Sequence, residues 1–187
     1  MALAVLAPAG ALAPAGALAP APGLAASGSA PAGESGAKAE KQKGASKHAL
    51  LVSRNLWATI DLCSPPDQLN TVGVRGSMPG SGLAHDKMFM SFRLQYLSAT
   101  SKQWVDLVSA AKPDWVAVGS AAAARQGGQS FQLVPGKSPA TLRGVVDFQW
   151  RRGGKVLVSA ARPTTAGRKS LAGADPAGFS AATCAIG

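Results

Sequence analysis

The stretch Thr141 to Ala161, TLRGVVDFQW followed by RRGGK and VLVSAA, leaves this chain fewer conformational choices than any other part of it. From Leu142 the even positions Leu142, Gly144, Val146, Phe148 and Trp150 are apolar or small, while Arg143, Asp147, Gln149 and Arg151 fall between them. A period of two places the first set on one face of a pleated strand and the second on the other, so one face is built for burial and the other for water. Arg151-Arg152-Gly153-Gly154-Lys155 then supplies two residues that tolerate positive φ between charges that must stay solvated, and Val156-Leu157-Val158 resumes a β-rich run. The spacing predicts a β-hairpin.

The same logic recurs upstream. The folded region is expected to open at Leu50-Leu51-Val52 and continue with Leu56, Ala58, Ile60 and Leu62 alternating against Asn55, Trp57, Thr59 and Asp61. Cys63 falls on the odd face with Trp57, which requires either that this face be covered too or that a bulge re-aim the cysteine. Ser64-Pro65-Pro66-Asp67 ends the run. Thr71 to Met78 alternates again, with Val72, Val74 and Met78 on one face. Gly82 to Lys87 reads as a turn, and Met88, Met90, Phe92, Leu94 and Tyr96 form the longest clean alternation.

Trp104 to Val108 and Trp115 to Gly119 read as short strands, separated by a segment whose Pro113 opposes a continuous helix. Ser120 to Arg125 reads as a helical turn stopped by Gly127-Gly128, and Phe131, Leu133 and Pro135 mark another strand. Arg162 to Gly178 reads as a long surface connection before a closing run, Phe179 to Ile186. Short strands at this turn spacing predict an all-β fold over residues 50–187, an antiparallel two-sheet sandwich, with a closed β-barrel as the alternative.

Residues 1–26 repeat Leu-Ala-Pro-Ala-Gly units and offer Ala-Leu-Ala and Gly-Leu-Ala-Ala as cleavage sites, which predicts a signal-like leader. No Lys or Arg precedes the apolar run, so an Ala/Pro-rich low-complexity tail is the other reading. The prolines rule it out as a spanning helix, which needs about 20 unbroken apolar residues. Residues 27–49 hold Gly, Ser, Ala and Lys without a large apolar side chain and predict a disordered basic linker. The two cysteines of the chain, Cys63 and Cys184, sit at opposite ends of the strand-rich region. In an exported protein an even count in strand-like segments predicts one disulfide; two buried thiols are the alternative.

The chain carries 19 Lys and Arg against 9 Asp and Glu, a net charge of +10, and residues 51–187 carry 15 against 7, or +8. Spread basic charge favours loose attraction to polyanions without specifying one. An anionic envelope polymer or another protein is the expected partner. Nucleic acid is disfavoured, because few aromatic rings interleave with the arginines as a base-stacking surface would need. Arg143, Arg151, Arg152 and Lys155, carried toward one end of the sandwich by the hairpin, are the candidate anionic-ligand surface, with Arg162, Arg168 and Lys169 beside them; a solvated turn is the plainer reading. The tryptophans Trp57, Trp104, Trp115 and Trp150 read as core rather than as a sugar platform.

No catalytic residue, cofactor or metal site is expected. The two histidines, His48 and His85, fall in linker and turn, and residues 50–187 contain no Glu to pair with their seven aspartates. The Ala/Pro leader, the basic linker, the VVDFQW strand before a Gly-Gly turn and the terminal Gly178-Phe179-Ser180-Ala181-Ala182-Thr183-Cys184 together resemble the immunoglobulin-like or fibronectin-type-III-like modules of exported actinobacterial proteins. That resemblance implies a secreted, non-catalytic sandwich with a structural or binding role at the cell envelope, and supplies no binding residue. The alternatives are a carbohydrate-binding or carbohydrate-active domain, or a basic nucleic-acid-binding protein.

Overall fold

The computed structural model describes residues 43–107, 114–134, 136, 138–168 and 171–187, so the leader-like residues 1–26 and linker residues 27–42 lie outside it. A short helix, α1 (Lys47–Leu51), is followed by nine strands: β1 (Trp57–Cys63), β2 (Thr71–Met78), β3 (Leu83–Leu97), β4 (Trp104–Asp106), β5 (Val116–Ala121), β6 (Arg125–Gln132), β7 (Ala140–Arg152), β8 (Lys155–Pro163) and β9 (Cys184–Ile186). One sheet has the order β1-β2-β6 and the other β4-β3-β7-β8, with β5 also on β3 and β9 also on β7. Every strand pairing is antiparallel. Among the described residues this is an all-β, two-sheet architecture and no barrel closes.

The hairpin of β7 and β8 forms as its sequence dictates, with Gly153 at φ 52° and Gly154 at φ 81° supplying the two positive dihedrals of the turn. The even side chains of β7 meet those of β3, Met88 opposite Trp150 and Met90 opposite Phe148, and all four are buried. Against them, from the smaller sheet, stand Ile60, Val72, Val74 and Met78, each fully buried. A Cβ at Gly144 would come within 2.7 Å of both γ-methyls of Val74, so glycine here is what lets the two sheets approach.

Several local expectations are corrected. Leu50-Leu51 is helical, because Ser46 accepts a hydrogen bond from the Ala49 N–H and caps a turn that ends at Leu51. The chain therefore joins the domain before Leu50, with Ala45 N–H bonded to the Ser81 carbonyl at 2.7 Å. Gly82 to Lys87 is mostly not a turn, since β3 begins at Leu83. Arg125 to Gly128 is strand, and the four-alanine run makes a tight corner from β5 in one sheet to β6 in the other. Val108, Ala111 to Pro113 and Pro135 lie outside the described residues.

The described part of Arg162 to Gly178, residues 162–168 and 171–178, covers the fold rather than looping over it. Thr165 N–H bonds the Ala58 carbonyl, Asp175 N–H bonds that of Asp61, and Ile60 and Ala181 exchange two backbone bonds. The free edge of β1 is thus occupied, and its outer-face side chains are covered too, Trp57 by Arg168 and Thr59 by Ser180, so β1 is buried on both faces.

Candidate functional site: the hairpin end and the inter-sheet clasp

Cys63 reaches its partner through a defect in β1. Ile60 stands opposite Val74, but the register then shifts so that Leu62 stands opposite Gly73 and Cys63 opposite Val72. Asp61 is the extra residue, and beyond it the strand's faces exchange, turning Cys63 from the outer face to the interior beside the fully buried Val72. Both sequence-based explanations hold: the odd face is covered, and a bulge re-aims the cysteine. Cys184 faces inward from β9 opposite Leu142, and the two cysteines are bonded across 121 residues with their Cα atoms 5.6 Å apart. Facing sheets stand about 10 Å apart, so the sandwich is pinched shut at this corner.

The four cations read from the sequence separate into different surroundings. Arg143 and Arg151 both point out from β7, eight residues and so about 27 Å apart. Arg143 lies 4.4 Å over the Trp104 ring and donates Nε–H to Gln95; burial, with the nearby Arg93 charge adding to it, holds its guanidinium below the usual arginine range. Arg151 lies 4.1 Å over Phe89 and 5.1 Å over Trp115 and donates to Gln149. Between them Arg93 binds Asp106 and Asp147 at 2.6 and 3.1 Å, so the outer face of the larger sheet pairs much of its own charge. Lys155 is exposed beyond the Gly-Gly turn. Arg162 donates to the Leu51 carbonyl and Arg168 lies over Trp57, elsewhere on the domain; Lys169 lies outside the described residues.

Arg152 defines the site. Its Nε–H donates to Asp86 Oδ1 at 2.6 Å and a terminal N–H to Oδ2 at 3.1 Å. Ser81 Oγ–H also donates to Oδ2, at 2.9 Å. Asp86 is buried, and the Arg152 hydrogen bond, with that of Ser81, outweighs desolvation and holds its carboxyl below the usual carboxylate range. In return, the Asp86 hydrogen bond raises Arg152 above its ordinary value. His85 lies on the outer, exposed side of the strand with Nε2 3.6 Å from Asp86 Oδ1. Ser, His and Asp meet here, but the Ser81 hydroxyl donates to the carboxylate and not to the imidazole, unlike the serine–histidine hydrogen bond of a nucleophilic triad.

Beside this ion pair opens a hollow of about 700 Å³, walled by Leu50, Leu83, Trp150, Leu157 and Val158 and rimmed by Lys43, His85, Asp86 and Arg152. A smaller groove of about 320 Å³ lies on the outer face of the smaller sheet, where Arg75 binds Asp61 at 2.6 Å beside the glutamines and glycines of β6. Among the described residues no cluster of three or more His, Cys, Asp or Glu is placed to hold a metal ion, and no helix is long and apolar enough to cross a membrane.

Fold and site together define the class: an all-β protein of two antiparallel sheets, clasped by an inter-sheet disulfide, with a cation-rimmed hollow at the hairpin end. Compared with family models, curated proteins and solved structures, the chain matches none.

Proposed function

We propose that this chain is a secreted, non-catalytic β-sandwich module of the immunoglobulin-like kind, with a binding or structural role at the cell envelope. The observation that carries the reading is the Cys63–Cys184 bond. A disulfide closing most of a domain is at home in an oxidising compartment and is reduced in the cytosol of most cells. The signal-like leader and the net charge of +10 support the same address, since an envelope rich in anionic polymer attracts such a chain over a distance set by ionic strength. Arg151 and Lys155 would meet a polymer at the hairpin end, where neither is bound to a carboxylate among the described residues. The commitment of the Ser81 proton to Asp86 supports a module without catalytic chemistry.

Intact-mass measurement of the protein recovered from the medium of cells expressing the full chain tests the reading. The expected species is shortened within residues 1–26 and gains two hydrogens on reduction. Retention of the whole chain inside the cell with both thiols free would overturn it.

A further inference from the structure

The hollow at the hairpin end is a built feature. Its outer wall, Lys43 to Ala45, is seated by the Ala45–Ser81 backbone bond, and a Cβ at Gly44 would lie 2.5 Å from Leu83 Cδ1, so the wall lies directly on the side chain beneath it. Its floor is apolar. Leu50, Trp150 and Val158 are buried, and Trp150 satisfies its indole N–H internally on the Pro79 carbonyl. Leu157 remains 43 % exposed at the mouth.

The rim has the opposite character. Arg152 spends two of its five N–H donors on Asp86, leaving three on a side chain that is 48 % exposed and held in place by a buried carboxylate. Lys43 adds a second cation, so with Asp86 included the rim is net positive at neutral pH. A volume of this size is that of a small-ligand site. With Trp150 almost fully buried, no flat aromatic face is presented for a sugar or a base to stack on.

From the apolar floor and the fixed guanidinium at its edge, we infer that this hollow binds a single-chain amphiphile, its alkyl tail against Leu50, Leu83, Leu157 and Val158 and its anionic head on Arg152 and Lys43. The inference rests on the module reading only in giving the chain access to such a ligand. Binding is measured on purified protein, so it can fail while secretion holds, or hold while secretion fails.

The test is calorimetric titration of the full oxidised chain with monomeric octanoate, decanoate and dodecanoate. Each two-carbon extension is expected to tighten binding about tenfold, as tail methylenes leave water. Dodecanol should bind at least fivefold more weakly than dodecanoate, and dodecyltrimethylammonium more weakly still. Arg152→Gln should erase the preference for dodecanoate over dodecanol. Because that variant unpairs a buried carboxylate, Leu157→Ser and Lys43→Gln, both at solvent-exposed positions, serve as variants that keep the fold; each should weaken dodecanoate about fivefold or more. Equal affinity for the cationic and anionic amphiphiles, no dependence on chain length, or an unchanged affinity in Leu157→Ser would overturn the inference. So would binding to anionic phospholipid vesicles with none to monomeric dodecanoate.

Discussion

Opening the Cys63–Cys184 bond is the perturbation whose size the structure fixes best. The bond closes a loop with a sequence separation of 121 residues. In the chain-entropy description, freeing a loop of that length returns about 16 cal/mol/K to the unfolded chain, or about 5 kcal/mol at 25 °C. Domains of ordinary stability hold about 5–15 kcal/mol in total, so the reduced protein is left marginal or unfolded. The loss also falls at a vulnerable place, because the corner that the bond clasps joins β1 of one sheet to β9 of the other.

The assay is urea unfolding followed by the fluorescence of the buried Trp57 and Trp150, comparing oxidised protein, reduced protein and a Cys63→Ala/Cys184→Ala variant. With a denaturant slope of about 2 kcal/mol/M, the midpoint should fall by about 2.5 M. The slope itself should rise, since an unclasped unfolded chain exposes more surface. A midpoint that moves by less than about 0.5 M, with the slope unchanged, would refute the reasoning: it would mean that the unfolded chain already keeps its two ends together.

Other perturbations test other joints. Deleting Asp61 removes the bulge yet keeps Cys63 opposite Val72 on the inner face, because Ile60, Leu62 and Cys63 then alternate without a break; the bond should persist in non-reducing peptide maps, and thiols open to an alkylating reagent in the deletion would contradict the register reading. Gly144→Ala should cost about 1–3 kcal/mol by thermal melting, because the new methyl meets Val74 at 2.7 Å and Thr164 at 2.9 Å. Gly153→Ala, at an open turn with φ 52°, should cost about 1–2 kcal/mol from backbone strain alone. The folded-state carboxyl of Asp86 sits below its unfolded value, chiefly through Arg152, and that of Asp106 does so chiefly through Gln95. The unfolded chain therefore binds more protons, so this stability is present above about pH 4 and is lost as pH falls through the folded values. Asp86→Asn should flatten the melting curve against pH between about 2 and 4, and an unchanged slope there would contradict the assignment.

The architecture was legible where alternation was clean. Thr71 to Met78, the inward set Met88 to Leu94 and the β7 set Leu142 to Trp150 each bury the face that their period assigns, and the Gly153-Gly154 turn does what two adjacent glycines between strands do. The misread segments share a cause, which is that tertiary cover changes what a local pattern means. Leu50-Leu51 resembles the start of a strand until Ser46 caps it. Gly127-Gly128 resembles a helix stop, yet on β6 a glycine is what fits opposite Met90 and Phe92, since a Cβ at Gly127 would meet the Met90 sulfur at 3.2 Å. The polar run after β8 resembles a surface loop because its work is done by backbone bonds to the edge of β1, which leave no mark on side-chain periodicity.

The site shows the same division more sharply. A count of basic residues groups Arg152 with Arg143, nine residues and about 30 Å up the same strand, where a guanidinium rests on Trp104 in a different setting. The missing partner was nonetheless written in the period. Carried backward from Met88, the inward phase of β3 falls on Asp86, and carried forward from Trp150, the inward phase of β7 falls on Arg152. Lys87 stands opposite Arg151, so the next pair outward sets that carboxylate against that guanidinium. A carboxylate in the buried phase of a strand requires a cation within reach, and reading Gly82 to Lys87 as a turn removed the premise from which the pair follows. What no period encodes is the hollow beside it, because its wall comes from residues 43–45, distant in sequence and held to Ser81 through the backbone. The cation at the hairpin end thus gains its meaning from a segment in which the sequence shows only small residues and charge.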